Sequence, residues 1–96
     1  MNGFENKRDE QQRRILAFAA AMVDRLDEKA SNPDKGFLTW ELDEINSTFA
    51  HLASEVGELA TTLYKSELET SFIECVDVAC MAFILGDLIV QETEES

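Results

Sequence analysis

Residues 41–90 read ELDEINSTFAHLASEVGELATTLYKSELETSFIECVDVACMAFILGDLIV, and this stretch decides the fold. Within it Ile45, Phe49, Leu52, Val56, Leu59 and Leu63 recur at alternating steps of four and three, the spacing of a helix packed in a bundle. Glu41, Asp43 and Glu44 precede that stripe, where acids favour the positive end of a helix dipole, so the pattern predicts a helix from about Thr39. Lys65–Ser71 (KSELETS) is polar and reads as a short turn. A further helix then runs to about Val90, with Gln91–Ser96 an acidic tail expected to fray. From Cys75 to Val90 its only charged residues are Asp77 and Asp87. A helix apolar all round needs neighbours on every side, more than one short chain supplies. The expectation is an all-α helical bundle completed by oligomerisation, as a homodimer or homotetramer.

Upstream, Ile15, Phe18, Ala19, Met22 and Leu26 form one face of a helix predicted over Asp9–Ala30, with residues 1–8 expected to fray. Ser31-Asn32-Pro33-Asp34-Lys35-Gly36 is a loop, because Pro fixes its dihedral and Gly permits a turn. No strand-like alternation interrupts the pattern, so residues 1–96 read as one helical domain, of a size that buries only a thin core. Of its residues 45% are hydrophobic and 29% charged, which suits a globular rather than a disordered chain.

Twenty acids against eight bases give a net charge of -12. Residues 1–30 balance six bases against six acids, so the whole excess lies in residues 31–96. That sign disfavours nucleic acid and anionic membrane as partners. Small anions such as nucleotides stay open if a bound metal reverses the field locally. Cys75 and Cys80 lie about 140° apart around a helix, cannot bridge within it, and read as free thiols of a reducing compartment. With no signal peptide and no apolar run able to span a bilayer, the expected location is cytoplasmic.

Two acid pairs carry the chemistry. Glu55-Val56-Gly57-Glu58 and Glu74-Cys75-Val76-Asp77 each project two carboxylates from one helix face at i and i+3. If the helices fold back about Ser66, Glu58 and Glu74 both lie eight residues from the turn, and Glu55 and Asp77 both eleven. At about 1.5 Å per residue the heights match, and four carboxylates converge. Like charges so close resist ionisation unless a cation compensates them. Oxygen-only ligands select Mg²⁺, with Mn²⁺ as a substitute. Asp77, an acid within an apolar run, is hard to explain as a surface residue. There are plainer roles as well: Ser71-Phe72-Ile73-Glu74 and Ser66-Glu67-Leu68-Glu69 are both capping-box patterns, and an ExxE on an acidic helix is common.

The segments Leu52–Ala60 (LASEVGELA) and Glu74–Ala79 (ECVDVA) resemble the ExxE…ExxD signature of MazG-like all-α nucleoside triphosphate pyrophosphohydrolases. Phe18–Met22 (FAAAM), Lys35-Gly36-Phe37 and Trp40 resemble the lead-in of small members of that family. The resemblance covers roughly residues 15–90. It implies hydrolysis of a nucleoside or deoxynucleoside triphosphate to the monophosphate and pyrophosphate with Mg²⁺. Glu55, Glu58, Glu74 and Asp77 would be the metal ligands, and Glu55 or Glu58 would position or deprotonate the water that attacks the α-phosphorus. Family members commonly carry bases after the third helix, whereas Gln91–Ser96 holds none. Phosphate contacts are then expected from Lys35, Lys65, the basic first helix or a neighbouring subunit.

Four further residues are candidates for substrate contact. Trp40, with Phe37, could stack on a base or belong to the core; Lys35 could reach a phosphate or be solvated. His51 lies one turn before Glu55 and touches substrate or is a hydrogen-bonded histidine. Asp87 suggests an interface or cap. The alternative function is a non-catalytic acidic helical oligomer that binds metal structurally or serves as an interaction module. A di-iron bundle is disfavoured, because the single histidine has Thr48 and Ser54 at the spacings where that chemistry wants Glu.

Overall fold

The computed structural model describes residues 3–31 and 37–95, with the side chains of Phe4, Phe37–Thr39 and Glu95 excepted. Among the described residues there are helices α1 (Gly3–Ala30), η1 (Phe37–Leu42, a 3-10 helix), α2 (Ile45–Tyr64) and α3 (Leu68–Glu95), and no strand. The all-α expectation holds, and no described helix is long and apolar enough to cross a membrane. The loop centred on Pro33, with Lys35, lies outside the described residues.

Both outer ends are more helical than expected. The first helix begins at Gly3 rather than near Asp9, with Glu10 and Arg14 paired one turn apart at 2.6 Å. The acidic tail continues α3 to Glu95, where the Thr93 hydroxyl donates back to the Ile89 carbonyl. At the start of α2 the chain tightens instead. The Asp43 amide donates to the Trp40 carbonyl, a 3-10 bond, and Glu44 is extended, so α2 begins at Ile45 and not at Thr39.

The α2–α3 turn is shorter than the seven-residue KSELETS segment. The Glu67 amide donates to the Thr62 carbonyl and the Ser66 amide to that of Leu63, a Schellman closure with Ser66 at φ 60°. Helix α3 therefore starts at Leu68. Ser71, inside α3, donates its hydroxyl to Thr62 Oγ1 at 2.9 Å and ties the two helices just beyond the turn.

The core follows one side of α3. Val76, Cys80, Met81, Ile84 and Leu88 are buried there, with Leu26, Trp40, Ile45 and Leu52 packed against Met81, Ile84 and Leu88. Helix α1 crosses α3 roughly parallel to it: Phe18 meets Phe72 edge-to-face at 6.1 Å, and the Cys80 thiol donates to the Met22 carbonyl. The α1 face is rotated from its expected phase. Phe18, Met22 and Leu26 do face inward, but Ala19 is exposed and Ile15 is 67% exposed, while Ala21, Arg25, Lys29 and Ala30 share the covered side. Of the α2 stripe, Ile45, Leu52 and Leu59 turn inward, and Phe49, Val56 and Leu63 do not.

Candidate metal centre

Antiparallel pairing of α2 and α3 brings Glu55, Glu58 and Glu74 together. One carboxylate oxygen from each lies within 4.8 Å of the other two. Glu55 faces α3 and is only 8% exposed; Glu74 is part-buried and Glu58 open to solvent. Glu55 Oε2 and Glu74 Oε2 are buried without a hydrogen-bond partner. Burial, then the charges of Glu58, Glu55 and Asp77 and a hydrogen bond shared with Glu55, pushes the Glu74 carboxyl above the ordinary range, and a proton there is the one alternative to a cation for satisfying the pair. A buried carboxylate oxygen with no donor is costly to leave unsatisfied. Donor chemistry and geometry thus fit a hard cation bound through oxygen.

Asp77 is at the expected height but turned elsewhere. Arg25 grips it with two hydrogen bonds, Nε to Oδ1 at 2.7 Å and Nη2 to Oδ2 at 3.1 Å, and Lys29 Nζ stands 3.3 Å from Oδ1. Asp77 is 4% exposed. Burial alone would raise its carboxyl, but the Arg25 hydrogen bond and the Lys29 and Arg25 charges outweigh that and hold it below the usual range. The reciprocal bond raises Arg25. The structure therefore gathers three of the four expected ligands and gives the fourth to α1. In the sequence Arg25 and Lys29 stand out only as members of the base-bearing first segment. Their signal was positional: they follow Phe18 and Met22 on the inward side of α1, as Asp77 interrupts the apolar run of α3.

His51 stands beside the trio, its Nε2 3.3 Å from Glu55 Oε1 and its side chain half exposed. A cleft lined by Asp43, Glu44, Thr48, His51 and Met81 opens next to it. Trp40 is tied into α3: its Nε1–H donates to Asp87 Oδ2 at 3.0 Å, and its ring meets Phe83 edge-to-face. Gln91 donates to the same Asp87 oxygen at 2.8 Å, so Asp87 anchors η1 to α3.

Compared with known proteins, the chain matches no family model, no curated protein and no solved structure. The likeness to the pyrophosphohydrolase family rests on its motifs alone.

Proposed function

We propose that Glu55, Glu58 and Glu74 hold Mg²⁺, or Mn²⁺ in its place, and that the chain is a MazG-like enzyme hydrolysing nucleoside or deoxynucleoside triphosphates to the monophosphate and pyrophosphate. It would act as a homo-oligomer in the cytoplasm, in keeping with its two free thiols. The observation that carries this reading is the pair of orphaned, buried oxygens on Glu55 and Glu74 inside a three-carboxylate cluster. When bound, the cation would neutralise triphosphate charge and acidify a water.

The remaining tasks fall to the chain. Glu55, steadied by His51, or the more exposed Glu58 would orient the attacking water and accept its proton. Arg25 and Lys29, held at Asp77 on the neighbouring turn of α3, would offer two cationic heads to an approaching anion. Asp77 would hold those two cations in place, or join the ligand set when they engage phosphate.

The test is a panel of nucleoside and deoxynucleoside triphosphates with Mg²⁺, scoring pyrophosphate against orthophosphate. Pyrophosphate release that is lost on chelation and in Glu55→Gln is the expected result. Orthophosphate as first product would refute attack at the α-phosphorus. Absence of turnover across the panel would leave the metal a structural role at most.

A further inference from the structure

The two carboxylate oxygens of Glu55 have different surroundings. Oε2 is buried and no donor among the described residues reaches it, while Oε1 lies 3.3 Å from His51 Nε2. The two residues are one turn apart on α2, with the Glu55 side chain 10% exposed and that of His51 51% exposed. An ionised carboxylate only accepts hydrogen bonds, so the nitrogen facing Oε1 is the one that carries a proton, whatever the charge on the ring. His51 itself stands outside the trio. One oxygen each of Glu55, Glu58 and Glu74 lies within 4.8 Å of the other two, and no His51 nitrogen joins them.

We propose that His51 is a positioning residue: it holds Oε1 of Glu55 and so presents Oε2, as a single-oxygen ligand, to Mg²⁺ or Mn²⁺. The inference rests on the metal centre proposed above and adds which oxygen binds and what aims it. Burial makes the donor necessary. With so little of Glu55 open to water, Oε1 depends on a protein group, and the nearby bases Arg25 and Lys29 are engaged at Asp77. Helix geometry makes it possible. At about 100° per residue, His51 and Glu58 lie on one flank of α2, one turn before and one turn after Glu55, so imidazole and trio meet the carboxylate from opposite ends. Coordination chemistry gives it a purpose, since a ligand whose second atom is hydrogen-bonded is fixed in orientation before the ion arrives. The choice between Glu55 and Glu58 then narrows. Glu55 has both oxygens committed, and the exposed Glu58 keeps one free to orient the attacking water.

The test is a titration of the full chain with Mn²⁺ alone, the free ion followed by electron paramagnetic resonance. His51→Leu is expected to weaken Mn²⁺ binding about 10–100-fold. His51→Gln, whose side-chain amide can place an N–H where Nε2 stands, restores most of that loss, a recovery that a merely structural role would not give. His51 is half exposed, so both variants keep a metal-free Tm and helical circular dichroism close to those of the wild type. In the triphosphate assay His51→Leu regains turnover at saturating Mn²⁺, and Glu58→Gln does not. A wild type that binds no Mn²⁺, or binding undiminished in Glu74→Gln, refutes the metal centre and this inference together. Binding that needs Glu74 but ignores His51→Leu, or that His51→Gln fails to restore, overturns the inference and leaves the metal centre standing. Turnover of His51→Leu that stays low at saturating Mn²⁺ overturns it as well, and makes His51 a substrate contact.

Discussion

Replacing Glu74 by glutamine separates the two properties of the carboxylate trio, its self-repulsion and its affinity for a cation. The three oxygens lie within 4.8 Å of one another. Two unit charges at that distance repel by about 3.5 kcal/mol at an effective dielectric of ~20 and by about 0.9 kcal/mol in bulk water. Glu74 sits between those limits, part-buried with one oxygen inside. Removing its charge, and giving Glu55 an amide donor, is expected to stabilise the metal-free protein by about 1–2 kcal/mol. For a chain this size that raises Tm by about 4–8 °C per kcal/mol.

The pH dependence fixes the sign. The folded-state pKa of Glu74 is raised above its unfolded value, so the wild-type penalty is absent below about pH 4, grows as pH rises toward the raised value, and is full only above it. The advantage of Glu74→Gln therefore vanishes in acid. The metal response reverses the order. At a Mg²⁺ concentration of about 100 times Kd the wild type gains about 2.7 kcal/mol, while the variant gains little. Thermal unfolding with and without Mg²⁺, at fixed protein concentration and two pH values, measures all of this. A metal-free variant less stable than wild type at neutral pH, or one with an equal Mg²⁺ response, would refute the reasoning.

Arg25→Met leaves Asp77 buried with Lys29 alone and is expected to cost about 2–4 kcal/mol at neutral pH. Because the Asp77 pKa is lowered by folding, the pair's contribution is complete above about pH 3.9 and is lost as pH falls through the folded value, so the deficit in urea unfolding shrinks in strong acid. Under the proposed activity, Asp77→Asn is expected to keep a helical circular dichroism spectrum and to lose triphosphate turnover; retained activity removes Asp77 from the site. Trp40→Phe deletes the hydrogen bond to Asp87, which keeps Gln91, and costs about 1 kcal/mol in denaturant unfolding. Ser66→Gly relieves a left-handed backbone at the hairpin turn and raises stability by about 0.5–1 kcal/mol, read as a higher urea midpoint at unchanged slope.

What the sequence disclosed was spacing, and what it withheld was rotation. The period of four and three located α2 and α3, and equal distances from the turn put Glu58 and Glu74 side by side. Period alone does not say which half of a stripe meets the chain's own neighbour: Leu52 went in, Phe49 did not, and Glu55 took a buried place beside the apolar row. In α1 the inward arc lies off Ile15 and Ala19, and Arg25 and Lys29 stand on its covered side with their heads at Asp77. An apolar scale assigns those two residues to the surface. The 3-10 turn at Trp40 was equally hidden, since it depends on an indole reaching Asp87, forty-seven residues away.

Asp77 changes the weight of the metal argument. An acid inside an apolar run can be made tolerable by a cation or by a base, and the sequence cannot separate the two. The structure supplies bases, Arg25 and Lys29, so the burial of Asp77 no longer calls for an ion. The demand moves one helical turn along α3, where Glu74 and Glu55 each bury an oxygen that no donor reaches. The chain's charge is divided in the same way. A first helix that sums to zero lends two cations to Asp77 on α3, and the acidic remainder keeps three carboxylates with His51 beside Glu55. Arg25 and Lys29 stand instead at Asp77, on the neighbouring turn of α3 from Glu74. In the activity we propose, acids and bases on adjoining turns of α3 would divide the work, the acids holding the cation and the bases meeting phosphate, a division that a uniformly acidic helix surface does not offer.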